Sequence, residues 1–112
     1  MPTFHFIARF EPRPESEPAF REELRLVVER SRMEQGCLHV NAFQSVGSPA
    51  TFAIHSEWAS EEAFEIHTKL AHTVHFVAEA ERLLTHRIKG DRLTHLGGGP
   101  GLAPGPTSNR GG

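Results

Sequence analysis

The chain contains one cysteine, no long apolar run and no block of like charges, and each of these gaps excludes a class of protein. Because Cys37 is the only cysteine among 112 residues, neither an internal disulfide nor an all-cysteine metal site can form. No apolar stretch approaches the ~20 residues that span a bilayer. The net charge of −2, with scattered lysines and arginines, argues against nucleic-acid and membrane-surface partners.

An export signal is also missing, because the residues after Met1 lead straight into a strand-like run. We therefore expect a cytoplasmic protein. The length predicts one domain with a modest core, to which a homo-oligomer would add burial. We place this domain at residues 1–96. Residues 97–112, with seven glycines and three prolines, have too little apolar surface to offset the entropy of ordering and are predicted to form a flexible tail.

Four segments show the pattern of β-strands. Thr3–Glu11 alternates apolar and polar residues and is followed by proline, which cannot donate to a strand ladder. Cys37–Ser45 and Thr51–Trp58 also read as strands, separated by the turn-forming residues Gly47–Pro49. Arg92–Leu96 is predicted to be a short last strand.

Helical patterns lie between these strands. Ser16 can cap the first helix. The apolar face that follows is expected to meet the core, and its residues are Phe20, Leu24, Val27, Val28 and Ser31. Gly36 is the expected end of this helix, because glycine readily takes a positive φ. Ser60 is predicted to cap a short helix, and after a break near residues 70–73 a longer helix is expected to run until Gly90.

The order β-α-β-β-α-β is that of the ferredoxin-like fold, in the α+β class. Right-handed crossovers give an antiparallel sheet in the strand order 4-1-3-2, with helices on one face only. If the second face is partly apolar it needs another cover, and a second copy of the sheet is the simplest one. We therefore predict a homodimer through the sheet faces.

Two segments carry a family resemblance, one around Glu34 and one from Phe52 to Phe76. Their spaced residues are Glu34, Gly36, Cys37, Phe52, Trp58, Ser60, His67, His72 and Phe76. In order and spacing they resemble the antibiotic biosynthesis monooxygenase (ABM) domain family. The resemblance covers nearly everything except the tail.

The resemblance implies a dimeric α+β barrel with a cleft between sheet and helices in each subunit. Such proteins oxidise flat aromatic substrates, often quinols or anthrone-like polyketides, with dioxygen and often without a cofactor. The resemblance therefore implies a small aromatic substrate, dioxygen, no cofactor and no metal site. A deprotonated substrate of this kind gives an electron to dioxygen directly, so the protein needs a pocket, a base or hydrogen-bond partner, and exclusion of water.

Departures from the family pattern narrow the resemblance. Polyketide-tailoring members set Asn, Tyr and Arg around the tryptophan, whereas this chain has Ile54 and Phe64 near Trp58. Haem-degrading members have a histidine near the position of Val77, so haem degradation is disfavoured. What remains resembles the quinol-monooxygenase-like subgroup.

His67 is the leading candidate for chemistry. It lies two helical turns after the predicted cap, where it can face the cleft, and a neutral imidazole can take a phenolic proton near pH 7. His72 is expected to support it from the start of the longer helix. Trp58, Phe64 and Phe76 are expected to shape an aromatic substrate pocket. The alternatives are structural: a His67 bonded to backbone, a capping His72, and aromatic rings that fill the core.

Three further histidines, His5, His39 and His55, fall on the less apolar face of their strands. A row of imidazoles could bind Zn²⁺ or Cu²⁺. Strands are ~4.7–4.9 Å apart whereas Zn–N bonds are ~2.0–2.1 Å, so three histidines from a flat row would strain to reach one ion. A polar dimer interface of hydrogen-bonded histidines is the favoured interpretation.

The sequence thus predicts a cofactor-independent monooxygenase that oxidises a small aromatic substrate with dioxygen. The alternative is a non-catalytic homodimer that binds a small aromatic ligand or helps other proteins associate. An enzyme would consume dioxygen with turnover, whereas a binder would only quench the fluorescence of Trp58.

Overall fold

A computed structural model describes residues 2–47 and 50–104. The strands of this part are β1 (Phe4–Phe10), β2 (Cys37–Gln44), β3 (Phe52–Trp58) and β4 (Lys89–Thr94). The α-helices are α1 (Glu17–Ser31), α2 (Glu61–Thr68) and α3 (Ala71–Leu83), and a short 3-10 turn, Pro14–Ser16, precedes α1. The predicted turn residues Ser48 and Pro49, and residues 105–112 of the predicted tail, lie outside the described residues; residues 97–104 contain no helix or strand.

The strands form one antiparallel sheet in the order β2-β3-β1-β4. This confirms the predicted ferredoxin-like α+β fold and its strand order 4-1-3-2. In the register of the two central strands, Phe4 pairs with Trp58 and Phe10 with Phe52. Because paired residues of antiparallel strands share a face, alternate residues of β1 and β3 turn together toward the helices.

The core lies between this face of the sheet and helices α1 and α3. Phe20 of α1 is fully buried, with ring centroids of Phe10, Phe52 and Phe76 at 5.3–6.2 Å from its own. The predicted apolar face of α1 is confirmed, since all of its residues are buried or half-buried. Aromatic pairs at these separations contribute about 0.5–1.5 kcal/mol beyond their burial.

Several details of the predicted boundaries differ from the structure, among them the last strand, predicted at Arg92–Leu96 and observed as β4 at Lys89–Thr94. Ser16 occupies the N-cap position of α1, but its side chain makes no capping hydrogen bond. Helix α1 already ends at Ser31, while Gly36 keeps its positive φ of 92° and leads into β2. Helix α3 ends at Leu83, and Gly90 lies within β4, where a Cβ atom would stand 2.5 Å from Cζ of Phe6. Glycine is needed there for close packing, not for ending a helix.

The outer face of the sheet carries apolar side chains that the single chain leaves open. Phe43 is 55% exposed and Leu93 is 40% exposed. The homodimer through this face stays a prediction. Separately, none of the helices in residues 2–47 and 50–104 has the length and apolar character needed to cross a membrane.

Candidate active site

A cavity of about 200 Å³ lies between the sheet and the helices. Most of its wall is apolar, formed by side chains of β1, β3, α2 and α3. The three residues predicted to shape a pocket, Trp58, Phe64 and Phe76, all line it, and so does His67. His72 is the one predicted site residue that does not line the cavity.

His67 stands in the last turn of α2, and the local sequence explains its position. The side chain of Ser60 accepts a hydrogen bond from the backbone N–H of Ala63 at 3.1 Å, which starts the helix as predicted. The helix then ends at Thr68, and α3 begins at Ala71, so the predicted break is confirmed. The imidazole packs against the indole of Trp58, with ring centroids 4.5 Å apart.

The most important contact of His67 is with a residue that the sequence analysis did not assign to the site. Nδ1 of His67 lies 2.8 Å from Oε2 and 3.1 Å from Oε1 of Glu34, whose side chain is only 8% exposed. Oγ1 of Thr73 lies 3.3 Å from the same nitrogen. The carboxylate therefore holds the imidazole by one nitrogen, as an orienting acid does in a general-base pair.

Glu34 reaches this position because the chain between α1 and β2 folds tightly onto α2. The positive φ of Gly36 allows the turn, and a Cβ atom there would lie 2.8 Å from Cβ of Ala63. The backbone N–H of Ala59 also donates to the carbonyl of Gly36 at 2.8 Å. The only sequence signal for this arrangement was the spacing of Glu34 and Gly36 within the family resemblance.

His72 meets the same carboxylate from the first turn of α3. Its Nε2 lies 2.5 Å from Oε2 of Glu34, and its ring centroid is 6.3 Å from that of His67. The two predicted histidines thus converge on one acidic residue. His75, also on α3, is 57% exposed and faces Glu23 at 3.4 Å.

Burial is the main influence on the pKa of His67 and lowers it from the ordinary value of 6.5. The hydrogen bond and charge of Glu34 act in the opposite direction, and His72 adds a smaller lowering. The imidazole is therefore neutral at pH 7. With its Nδ1–H directed to Glu34, Nε2 keeps the lone pair that a general base needs.

Trp58 supplies an unused hydrogen-bond donor at the cavity wall. Its side chain is fully buried, and Nε1 has no hydrogen-bond partner in the described part of the chain. Buried polar groups in native proteins are nearly always paired, so such a nitrogen calls for an explanation. A ligand oxygen in the cavity would provide the acceptor.

The strand histidines are arranged differently from a metal site. Nδ1 of His5 and Nε2 of His55 are 2.9 Å apart, and Glu57 stands 3.8 Å from His5 and 3.9 Å from His39. Among the described residues, the one group with three His, Cys, Asp or Glu ligand atoms within 4.8 Å of one another is Glu34, His67 and His72.

Comparison with known proteins agrees with this arrangement of cavity, strands and helices. Residues 3–79 match the family described as antibiotic biosynthesis monooxygenase. The chain belongs to this family. Its ABM domain is 34% identical, over 73 residues, to a Bacillus subtilis (strain 168) protein named "Putative monooxygenase YcnE", and the match covers 65% of this chain and 77% of that protein.

Solved structures show the same fold over nearly the whole domain. Rv0793 from Mycobacterium tuberculosis superposes with a TM-score of 0.83 at 26% identity, covering 88% of this chain and 99% of that one. PA3566 from Pseudomonas aeruginosa gives a TM-score of 0.79 at 30% identity, with 87% and 97% covered. The family and the named relative support a monooxygenase-type function on a small molecule.

Proposed function

We propose that this ABM protein is a cofactor-independent monooxygenase that oxidises a small quinol-like aromatic with dioxygen. The observation that carries the proposal is the pair of Glu34 and His67, 2.8 Å apart, at the wall of an apolar cavity. A base held by a buried acid, beside a cavity lined mostly by apolar side chains, meets the requirements of this chemistry.

In the proposed reaction, Nε2 of His67 accepts the proton of a phenolic hydroxyl, and Glu34 stabilises the imidazolium that forms. The resulting anion gives one electron to dioxygen, and the substrate radical and superoxide combine at a ring carbon that carries hydrogen, giving a peroxide anion. The imidazolium of His67 returns its proton to this anion, which forms the hydroperoxide. Loss of water then leaves a carbonyl group on the ring. One oxygen atom enters the product and the other leaves as water, and the substrate itself supplies the electrons.

The size and lining of the cavity favour substrates of one or two rings. An apolar cavity of about 150 Å³ accepts benzene, so a space of about 200 Å³ suits a quinol better than a three-ring anthrone. The free Nε1–H of Trp58 can donate to a substrate oxygen. Phe64 and Phe76, both buried, would hold the ring by its faces and edges. His72 would support the site through Glu34.

The proposal is tested by oxygen uptake of the metal-stripped protein on a panel of reduced one- and two-ring quinols. His67→Ala is expected to lower protein-dependent uptake by at least tenfold, about 1.4 kcal/mol of barrier. His75→Ala is the matched control, because it removes an exposed histidine of α3 that lies 3.4 Å from Glu23 and does not line the cavity. Uptake should stay within twofold of the wild type.

The second candidate function is binding of a small aromatic ligand without turnover. The same cavity and the contact of Trp58 with His67 would then serve recognition only. Saturable quenching of Trp58 fluorescence, with no uptake above the spontaneous background, would favour this function and contradict the oxygenase proposal.

A further inference from the structure

Three ligand-type side chains meet at one point behind the cavity wall. They come from separate elements: Glu34 from the turn after α1, His67 from the end of α2, and His72 from the start of α3. One ligand atom of each lies within 4.8 Å of the other two. We propose that Glu34, His67 and His72 form a three-ligand site for a first-row divalent cation such as Zn²⁺. The site is independent of whether the cavity performs oxidation.

The donor set suits a borderline metal ion. Two imidazoles and one carboxylate are a ligand set of zinc enzymes, in which the fourth position stays open to water or substrate. Nitrogen donors favour Zn²⁺, Cu²⁺ or Fe²⁺ over Mg²⁺ and Ca²⁺, which prefer oxygen alone. The carboxylate also balances part of the charge of the ion, which matters because its side chain is 8% exposed.

The geometry requires only small movements. The atoms that would bind are Nδ1 of His67, Nε2 of His72 and Oε2 of Glu34, with the carboxylate 2.8 Å and 2.5 Å from the two nitrogens. Bonds of ~2.0–2.1 Å in a tetrahedron place donors roughly 3.3 Å apart. The two carboxylate–imidazole pairs therefore have to open by less than about 1 Å. The two nitrogens lie within 4.8 Å of each other and have to close by at most about 1.5 Å to reach the tetrahedral separation. Side-chain rotation can supply both movements.

The fold holds the ligands close to this geometry before any ion binds. The contact between Gly36 and Ala63 fixes the turn that carries Glu34. The break between α2 and α3 is closed by backbone hydrogen bonds, with the N–H of Leu70 donating to the carbonyl of His67 at 3.2 Å. A continuous helix would turn His67 and His72 to different faces, because residues five apart point about 140° away from each other around the helix axis.

Metal binding would also change which nitrogen of His67 carries the proton. The Nδ1–H that now faces Glu34 must leave for the ion to bind, and in the neutral ring that proton moves to Nε2. Nε2 then cannot accept a proton from a phenol. If the base proposed above is correct, Zn²⁺ and base-catalysed oxidation exclude each other, and Zn²⁺ inhibits.

The test is a calorimetric titration of the metal-stripped full chain with Zn²⁺. We expect one ion per chain, and a loss of affinity of at least tenfold in both Glu34→Gln and His72→Ala. His75→Ala and His55→Ala are matched controls that remove histidines outside the site and should bind as the wild type does. Binding that survives Glu34→Gln and His72→Ala, or that falls in His55→Ala, would overturn the proposal.

A second measurement needs no variant and so remains decisive if a substitution prevents folding. In the wild-type chain, ¹⁵N shifts of histidine side chains on adding Zn²⁺ should report metal at Nδ1 of His67 and Nε2 of His72. Shifts confined to other histidines would contradict the site. Because binding is read without substrate, its failure is distinguishable from failure of the oxidation, which is measured on the metal-free protein.

Discussion

Two clusters of histidines lie on opposite faces of the same sheet, and they differ in what holds them together. On the helix side, His67 and His72 share one buried carboxylate at 2.8 Å and 2.5 Å. On the outer face, Nδ1 of His5 and Nε2 of His55 lie at hydrogen-bond distance, 2.9 Å. The carboxylate of Glu57 is 3.8 Å from His5. Only the first cluster adjoins an apolar cavity.

The difference shows why histidine count alone does not locate a site. Burial lowers the pKa of both His67 and His55, and is the largest influence on each. The next influence differs, because Glu34 raises the pKa of His67 whereas His5 lowers that of His55 further. A base needs a partner that stabilises its protonated form. His67 has a carboxylate at hydrogen-bond distance, whereas His55 is hydrogen-bonded to another histidine.

The largest effect should come from removing the carboxylate that distinguishes the two clusters. In Glu34→Gln the amide can donate to Nδ1 of His67, which favours the tautomer with a proton on Nε2 and removes the base. We expect kcat/KM for quinol oxidation to fall by about 10²-fold, within the range typical of a general base. Steady-state oxygen uptake measures it.

The matched substitution on the other face is Glu57→Gln, which should leave kcat/KM within twofold. Equal losses in the two variants would mean that the carboxylates act through general stability, and an unchanged rate in Glu34→Gln would remove Glu34 from the mechanism. Thermal melts of both variants separate these outcomes.

The strands were predictable because the alternation of apolar and polar residues is a local signal. Their order was predictable because the handedness of the connections follows from chain direction alone. The structural role of glycine was predicted less well. Gly90 was predicted to end a helix, but it serves the close approach of Phe6 to β4, and the same residue type meets both needs. A single sequence carries no mark that separates them.

The site was predictable in part for a related reason. His67, Trp58, Phe64 and Phe76 were assigned to a pocket from local spacing and the family resemblance. All four line the cavity, and their roles there stay a prediction. Glu34 was missed because its contact with His67 joins residues 33 apart in the chain. The tight turn at Gly36 brings the two residues together. A contact between side chains so far apart in the chain leaves no periodic pattern in the sequence.

An effect of intermediate size is expected from Trp58, whose indole N–H lies at the cavity wall with no hydrogen-bond partner in the described part of the chain. On the other face of the sheet, His5 and His55 are hydrogen-bonded to each other. Trp58→Phe removes a buried N–H that has no hydrogen-bond partner within residues 2–47 and 50–104, and leaving such a group unpaired costs about 1–3 kcal/mol. Relief of that cost should offset much of the lost packing. Affinity for p-cresol should fall about fivefold to tenfold, while affinity for p-xylene, which has no oxygen, should change less than twofold.

Calorimetric titration of the two ligands provides the comparison, and each serves as the control for the other. Parallel losses for p-cresol and p-xylene would show that Trp58 acts by shape alone. An unchanged affinity for p-cresol would mean that Nε1–H of Trp58 does not donate a hydrogen bond to the ligand oxygen.

The smallest effect is expected on the outer face, where the predicted dimer would bury the histidine cluster. The pKa of His55 is lowered in the folded chain, so the unfolded chain, with a pKa near 6.5, binds the proton more readily. Neutral His55 therefore contributes stability above pH 6.5. This stability is lost as the pH falls below 6.5, and the loss is complete once the pH is below the folded-state pKa. The titratable groups clustered with His55 are His5, His39, His95 and Glu57. The strand register also places Arg9 and Asp91 on this face.

Because both copies would carry this cluster, acidification from pH 8 to 5.5 should raise the dimer dissociation constant several-fold, as measured by sedimentation velocity. His55→Gln keeps a polar side chain without the titration and should flatten the pH dependence, whereas His72→Gln, on the other face, should leave it as in the wild type. A chain that is monomeric at pH 8, or a dimer equally tight at both pH values, would contradict the assignment of this face as a histidine interface. The two clusters would then differ in chemistry without either being an interface.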